Sequence, residues 1–272
     1  MRSKGLRVRF YGKKTVVYDQ VRIIEDAITE EFDVVLAAVR RDQIESAADF
    51  IGRKQLGKVS VLMANYPCGI ERIKLQYDSN SPVFAFPGAG GSILEDGTVH
   101  GAVLAAGQQK TTIGEADGRI TSRVKDLILL FRKAGFPSEA SENMDGWLKS
   151  HTAWIVPASA AVCAAGHYGK SLEMMPEVIG KMIDGIRENF YVLRKLGMMI
   201  EPGSLQFWEK LPRSTLIWLD RFVVKNPVFK ETFIPHSLNA REEIRMLFQD
   251  LKELSGRAGC KTPVMDHLIK YV

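Results

Sequence analysis

Hydrophobic and polar positions change period twice along this chain. At the start, Leu6-Arg-Val-Arg-Phe10 alternates apolar and basic residues, a Tyr-Gly-Lys-Lys turn follows, and Thr15 to Ile24 reads as a returning strand. Asp33-Val-Val-Leu-Ala-Ala-Val39 is then a continuous apolar run, the signature of a buried parallel strand. Asp42 to Lys54 has helical spacing, and Val59-Ser-Val-Leu-Met-Ala64 is a second such strand. Residues 33–64 therefore predict a βαβ unit, because parallel strands need a crossover of this length. Gly69 to Gln76 predicts a short helix and Val83-Phe-Ala-Phe86 a further strand. Val99 to Ala105 and Lys110 to Ile113 read as an antiparallel pair around Gly107.

Pro87-Gly-Ala-Gly-Gly-Ser92 invites comparison with a dinucleotide fingerprint. Gly88 and Gly90 supply G-x-G, but Ile93 stands where the third glycine belongs and a turn composition follows, so the stretch predicts a tight turn between strands. Thr121 to Ala134 carries Val124, Leu127, Ile128 and Phe131 on one helical face, with Gly135 and Pro137 as stop signals. Phe136 to Ser141 is the expected last strand. Beyond it the period is helical throughout. Trp147 to Ala165 is apolar with a kink expected at Pro157, Ser171 to Leu196 is amphipathic, and Leu205 to Val224 is broken by Pro212. Asn239-Ala-Arg-Glu242 has capping-box spacing and opens a helix reaching Ala258, with Gly259 as the stop. The expected fold class is thus α/β, a Rossmann-like dinucleotide-binding domain over 1–140, followed by an all-α domain over 141–272 for substrate or dimerisation.

That reading has a gap. The glycine-rich phosphate loop of a doubly wound fold lies on its first strand-to-helix turn, ahead of everything recognised here. The 272 residues, 46% hydrophobic and 25% charged, fit an ordinary soluble globular protein. The net charge of +5 suits an anionic small substrate or a phosphate-bearing cofactor. The densest basic stretch, Arg2 to Lys14, reads as a solvated strand edge, so no nucleic-acid partner is expected. Cys68, Cys163 and Cys260 are widely spaced without C-x-x-C, which fits a reducing compartment. With no apolar leader and no run of membrane-spanning length, the expectation is a cytoplasmic protein without a membrane partner.

A cleft between an α/β half and a helical half would bring a cofactor on the first to a substrate held by the second. Three residues qualify by position: Arg40 at the end of the first parallel strand, Asn65 at the end of the second, and Lys149 just inside the first helix of the second half. Lys149 heads a nearly uncharged segment, so its ammonium is expected to be partly desolvated and able to protonate a carbonyl oxygen. Asn65 could bridge substrate and cofactor through its amide, and Arg40 could hold a phosphate or ribose. The histidines show no metal-like spacing, G-x-S-x-G is absent, and Cys163 reads as packing material.

Taken in order, Phe32-Asp-Val-Val-Leu-Ala-Ala-Val-Arg40, Val61-Leu-Met-Ala-Asn65, Ile113-Gly-Glu115, Trp147-Leu-Lys149 and Gly259-Cys-Lys-Thr-Pro263 resemble the ketopantoate reductase (2-dehydropantoate 2-reductase) family. The resemblance covers most of residues 6–272. It implies a Rossmann-like domain, a helical domain, and NADPH-dependent reduction of ketopantoate on the route to pantothenate and coenzyme A. It also implies Lys149 as the general acid, Asn65 as the asparagine contacting cofactor and substrate, and Arg40 in place of a lysine near the cofactor. A homodimer is a candidate assembly.

The departures are specific. The family's first strand, glycine-rich loop, first helix and second strand have no counterpart, so about thirty residues are expected upstream of Met1 or from another chain. Without neighbours, the strand at 33–39 is expected to expose an edge. Tyr66 replaces a frequent glycine, and Ala153 and Pro157 stand where the family has asparagines. For the family's substrate-holding serine and glutamate, Ser237, Glu242 and Glu243 are the nearby candidates; Ser237 is taken as substrate-binding. Two other functions stay open: a non-catalytic remnant that binds a ligand or oligomerises, and an opine or 3-hydroxyacid dehydrogenase relative relying on His151.

Overall fold

A computed structural model of the chain describes residues 5–19, 21, 22, 31–74 and 81–272. The first alternation forms a hairpin: β1 (Leu6–Phe10) and β2 (Thr15–Tyr18) pair antiparallel, with Leu6 opposite Tyr18. β2 stops short of the expected Ile24: Asp19, Val21 and Arg22 are not in the strand, and residues 20, 23 and 24 lie outside the described residues. The βαβ unit follows as β3 (Phe32–Ala38), α1 (Ile44–Lys54) and β4 (Gly57–Met63), its strands parallel with Val34 opposite Val59. Ile44, Ala48 and Ile51 form the buried face of α1, the spacing that a helix on a sheet requires. The short helix expected over Gly69 to Gln76 is α2 (Glu71–Lys74); residues 75 and 76 lie outside the described residues.

β5 (Val83–Phe86), β6 (Ala89–Ile93), β7 (Val99–Val103), β8 (Thr111–Gly114), α3 (Ser122–Lys133) and β9 (Ser138–Ala140) complete the α/β half. They divide between two sheets, of order β3-β4-β5-β8-β9 and β2-β1-β7-β6. The expected pairing of β7 with β8 does not occur. β7 lies between β6 and β1, whereas β8 runs antiparallel beside β5 and parallel to β9. Burial explains the separation: β8 is buried at every position and belongs inside the main sheet, while β7 is half-buried throughout. Of the stretch expected as a tight turn, only Pro87 and Gly88 lie between β5 and β6 and cross from one sheet to the other, while Ala89 to Ser92 belong to strand β6. A Cβ on Gly88 would lie 2.8 Å from the backbone of Gln109–Thr111, so glycine is needed there for packing.

Both faces of the main sheet are covered. On one, Ile44, Ala48 and Ile51 of α1 pack with Leu62 and Phe84; on the other, Val124, Leu127 and Phe131 of α3 pack with Val61 and Ile113. Among the described residues β3 ends the strand order, and Leu36 on it is 48% exposed.

The helical half comprises α4 (Met144–His167), α5 (Pro176–Lys195), α6 (Phe207–Lys210), α7 (Arg213–Val223), a π-helical turn at Phe229–Phe233, α8 (Ile234–Asn239), α9 (Arg241–Arg257) and α10 (Pro263–Leu268). Pro212 separates α6 from α7 as expected. The capping box at Asn239 does not form. Asn239 ends α8, only Ala240 intervenes before α9, and no side chain caps the α9 N-terminus.

α4 joins the two halves. Met144, Trp147 and Leu148 in its first turns belong to the core of the sheet, while Ala153 and the residues beyond it belong to the helical core. The helix passes through Pro157 without ending. Proline has no N–H, so the Ala153 carbonyl loses its helical donor four residues on. Asn189 of α5 replaces it, its Nδ2 donating to Ala153 O at 3.0 Å.

Candidate active site

The site is built on the start of α4, and two features seat that helix. A Cβ on Gly114 would lie 2.5 Å from the Ser141 carbonyl oxygen and 3.3 Å from Met144 Cβ, so glycine at the end of β8 lets α4 begin close against the sheet. The next residue, Glu115, is buried and accepts from Arg123 at 2.7 and 2.5 Å and from the Thr121 hydroxyl at 2.6 Å, fixing α3 beside it. Asn143 caps α4, its side-chain oxygen accepting from the Gly146 N–H at 2.9 Å.

One turn on, the Lys149 side chain is only 6% exposed. Its ammonium bonds and ion-pairs with Asp145, one turn earlier on the same helix. The other oxygen of that carboxylate accepts the Ile70 N–H at 3.3 Å. A Cβ on Gly69, which has φ +101°, would lie 4.0 Å from both Asp145 Oδ1 and Lys149 Nζ. The lysine therefore lies beneath the loop that leaves β4, at the junction of the two halves. The side chain is buried, at the head of the apolar segment. Its counter-ion Asp145 is an acid four residues before the lysine, a helix-pairing signal present in the sequence.

Asn65 opens that same loop. Its Oδ1 is buried and accepts no hydrogen bond. A buried acceptor without a partner is costly and calls for a donor from outside the chain. On α4, His151 Nε2 and Trp154 Nε1 are likewise buried and unpartnered. His151 stacks on Trp147 at 5.1 Å between ring centroids and lies 4.2 Å from Phe86. Burial, reinforced by His236, lowers its pKa to about 3, so the ring is neutral.

Arg40 does not enter this cluster. Its side chain is 59% exposed and pairs with Asp42 at 2.9 Å. The neighbouring Arg41 turns inward instead. It donates to Asp250 at 2.6 and 3.2 Å and to Cys68 Sγ at 2.9 Å, lies 4.7 Å above the Tyr66 ring, and its backbone N–H reaches Glu243 at 3.2 Å. Burial opposes the Arg41 charge, but the Asp250 carboxylate outweighs it and holds the guanidinium protonated. Burial first, then Asp250, pushes the Cys68 thiol up to about 12. Tyr66 is fully buried under the guanidinium and donates to Glu45 at 2.9 Å. Arg41 thus clamps the ends of β3 and β4 to α9. Nothing in two adjacent arginines distinguishes which turns inward; their partners lie far away in sequence.

Ser237 is fully buried between α8 and α4, its hydroxyl donating to Ser159 Oγ at 3.1 Å and its carbonyl accepting from Cys163 Sγ at 3.6 Å. It is not brought to the loop over Lys149. Glu243 faces Arg41, and Glu242 pairs with Arg245 on the surface.

The residues fit the reactive end of a nicotinamide dinucleotide, where the unpartnered Asn65 Oδ1 offers an acceptor to the ring's carboxamide. No glycine cradle for its pyrophosphate occurs among the described residues. Nor, among them, does any cluster of histidine, cysteine and carboxylate side chains that could hold a metal ion. No helix among them is long and apolar enough to cross a membrane.

No protein-family model matches the chain, and no curated sequence matches it significantly. Solved structures do. A candidate ketopantoate reductase from Ralstonia solanacearum MolK2 has a TM-score of 0.73 at 18% identity, over 98% of this chain and 84% of that one. A dimeric ketopantoate reductase from Staphylococcus aureus has a TM-score of 0.61 at 11% identity, over 98% and 84%. A D-mandelate dehydrogenase, solved with NADH and anilino(oxo)acetate, has a TM-score of 0.68 at 13% identity, over 98% and 83%. The resemblance read in the sequence is therefore a shared fold: a Rossmann-like half followed by a helical half, across nearly the whole chain.

Proposed function

We propose, from the premise of that shared ketopantoate reductase fold, that this chain uses NADPH to reduce a ketopantoate-like 2-oxo acid to its 2-hydroxy acid. The observation that carries the reading is the buried Lys149–Asp145 pair beneath the loop that Asn65 opens. When bound, the nicotinamide would supply hydride to the carbonyl carbon of the substrate. Lys149 would hold the 2-oxo oxygen by a hydrogen bond from Nζ and deliver a proton as negative charge builds there. Asp145 would aim the ammonium and compensate its charge away from water. Asn65 would use its free Oδ1 to orient the carboxamide of the nicotinamide or a hydroxyl of the substrate.

Neither arginine that follows β3 is placed to hold the substrate carboxylate: Arg41 is committed to Asp250, and Arg40 faces solvent. A homodimer, a cytoplasmic location and a place on the pantothenate route belong to the same reading, the first supported by the dimeric S. aureus neighbour. A second reading, a ligand-binding or oligomerisation module without turnover, is favoured by Ala153 and Pro157 in place of the family's asparagines. Calorimetry with NADPH, followed by an oxidation assay with a panel of 2-oxo acids, separates the two. Cofactor binding with turnover supports the reductase; no heat of binding at millimolar NADPH supports the module.

A further inference from the structure

A cavity of about 280 Å³ lies in the helical half, between the C-terminal end of α4, the first turns of α5 and the chain's last helical segment. It is remote from the candidate active site: Tyr168 at its rim is nineteen residues beyond Lys149, about 28 Å along α4. Its floor is apolar, with Met175, Val178 and Leu268. Its rim is polar and charged, with Tyr168, Tyr271, Lys170, Lys181 and Glu177.

The rim has unused donors. The Tyr168 and Tyr271 hydroxyls share one hydrogen bond at 2.9 Å, which leaves the accepting hydroxyl its own proton to donate. Lys181 Nζ is 2.9 Å from His267 Nε2. An ammonium has no lone pair, so the imidazole accepts, its own proton sits on Nδ1, and two N–H bonds of Lys181 remain free. Among the described residues neither Lys170 nor Lys181 forms an ion pair, and Glu177 does not reach either one. The hydrogen bond to Tyr271 raises the pKa of Tyr168, and Lys181 lines the same rim as the phenol pair. No side chain caps the α5 N-terminus, so the positive end of a twenty-residue helix adds to the field. Two lysines against one glutamate leave the rim with a single excess positive charge.

We propose that this cavity is a second binding site, for a small organic monocarboxylate whose carboxylate bridges Lys170 and Lys181 and whose flat or apolar body rests on Met175, Val178 and Leu268. The volume is at the small end of ligand pockets and admits a body of about one ring. The site is independent of the reductase reading.

Benzoate is the probe, with benzyl alcohol as its neutral analogue and inorganic phosphate as an anion without a body. The full chain carries ring-labelled tyrosine, with the two signals assigned through Tyr168→Phe and Tyr271→Phe. Benzoate is expected to shift both signals saturably at millimolar concentration. Benzyl alcohol and phosphate should each bind about ten-fold more weakly or worse. Lys170→Met/Lys181→Met should lose the shift, and Lys149→Ala should keep it. Both lysines are surface groups, and the melting midpoint checks that the variant folds; should the double variant not fold, Lys170→Gln gives the same comparison. The proposal is overturned if benzoate moves neither tyrosine, if the lysine variant binds it equally, or if phosphate or benzyl alcohol binds as tightly.

Discussion

Replacing Asn189 with leucine removes the donor that satisfies the Ala153 carbonyl. Both residues are buried, at 4% and 0% exposure, so no water can take the donor's place. A buried carbonyl left without a partner costs about 1–3 kcal/mol. The cost exists only because Pro157 withholds the helical N–H. Pro157→Ala restores it, and alanine keeps the Cβ that faces Gly185 of α5. In the Pro157→Ala background the Asn189→Leu penalty should therefore shrink by about 1–2 kcal/mol, a coupling expected of residues that serve one acceptor. Urea unfolding of the four proteins, followed by tryptophan fluorescence and far-UV circular dichroism together, measures the cycle and checks that the transitions coincide. Equal penalties in the two backgrounds, within about 0.5 kcal/mol, would refute the compensation.

Arg41→Met should destabilise the chain by about 2–4 kcal/mol, because it leaves the Asp250 carboxylate half-buried and unpaired, whereas Arg40→Met should cost under about 0.5 kcal/mol; equal effects would show the clamp to be wrongly assigned. Asp220 is buried with an unpartnered Oδ2, and burial raises its pKa to about 7. A carboxyl pKa raised on folding binds its proton more tightly in the native state, so its contribution is lost as pH rises from about 4 to about 7. Asp220→Asn should stabilise the chain at pH 8, by at most about 4 kcal/mol, and do little at pH 4; melts that show no gain at pH 8 count against it. His151 acts in the opposite direction: its depressed pKa means that stability is present above about 6.5 and lost as pH falls toward 3. His151→Phe should flatten that acid limb in thermal melts, and an unchanged limb would place the titration elsewhere.

The βαβ unit was legible because β3, α1 and β4 each show their own period over enough residues. The candidate site was legible only where position alone determines it. Lys149 could be placed because a helix opening the second half must meet the loop after β4, and Asn65 because it ends that strand. Arg41 could not be chosen over Arg40, since the choice depends on Asp250 and Glu243 in α9. The β7–β8 pairing failed because sequence neighbours usually pair, and here the burial of β8 demanded a place in the main sheet instead. Asn239 failed as a cap because α8, a helix with little signal of its own, already occupied it. Ser237 is a small hydroxyl between helices, and its partner Ser159 cannot be seen from its own surroundings.

The proposed reduction stands on the Lys149 ammonium protonating a 2-oxo oxygen at the junction of the two halves. The direct test is NADPH oxidation with ketopantoate and other 2-oxo acids, comparing the parent chain with Lys149→Ala and Lys149→Arg. With Lys149 as the proton donor, kcat/KM should fall about 10²–10⁴-fold in Lys149→Ala while NADPH binding by calorimetry is kept. Turnover at the parent rate in Lys149→Ala would contradict it.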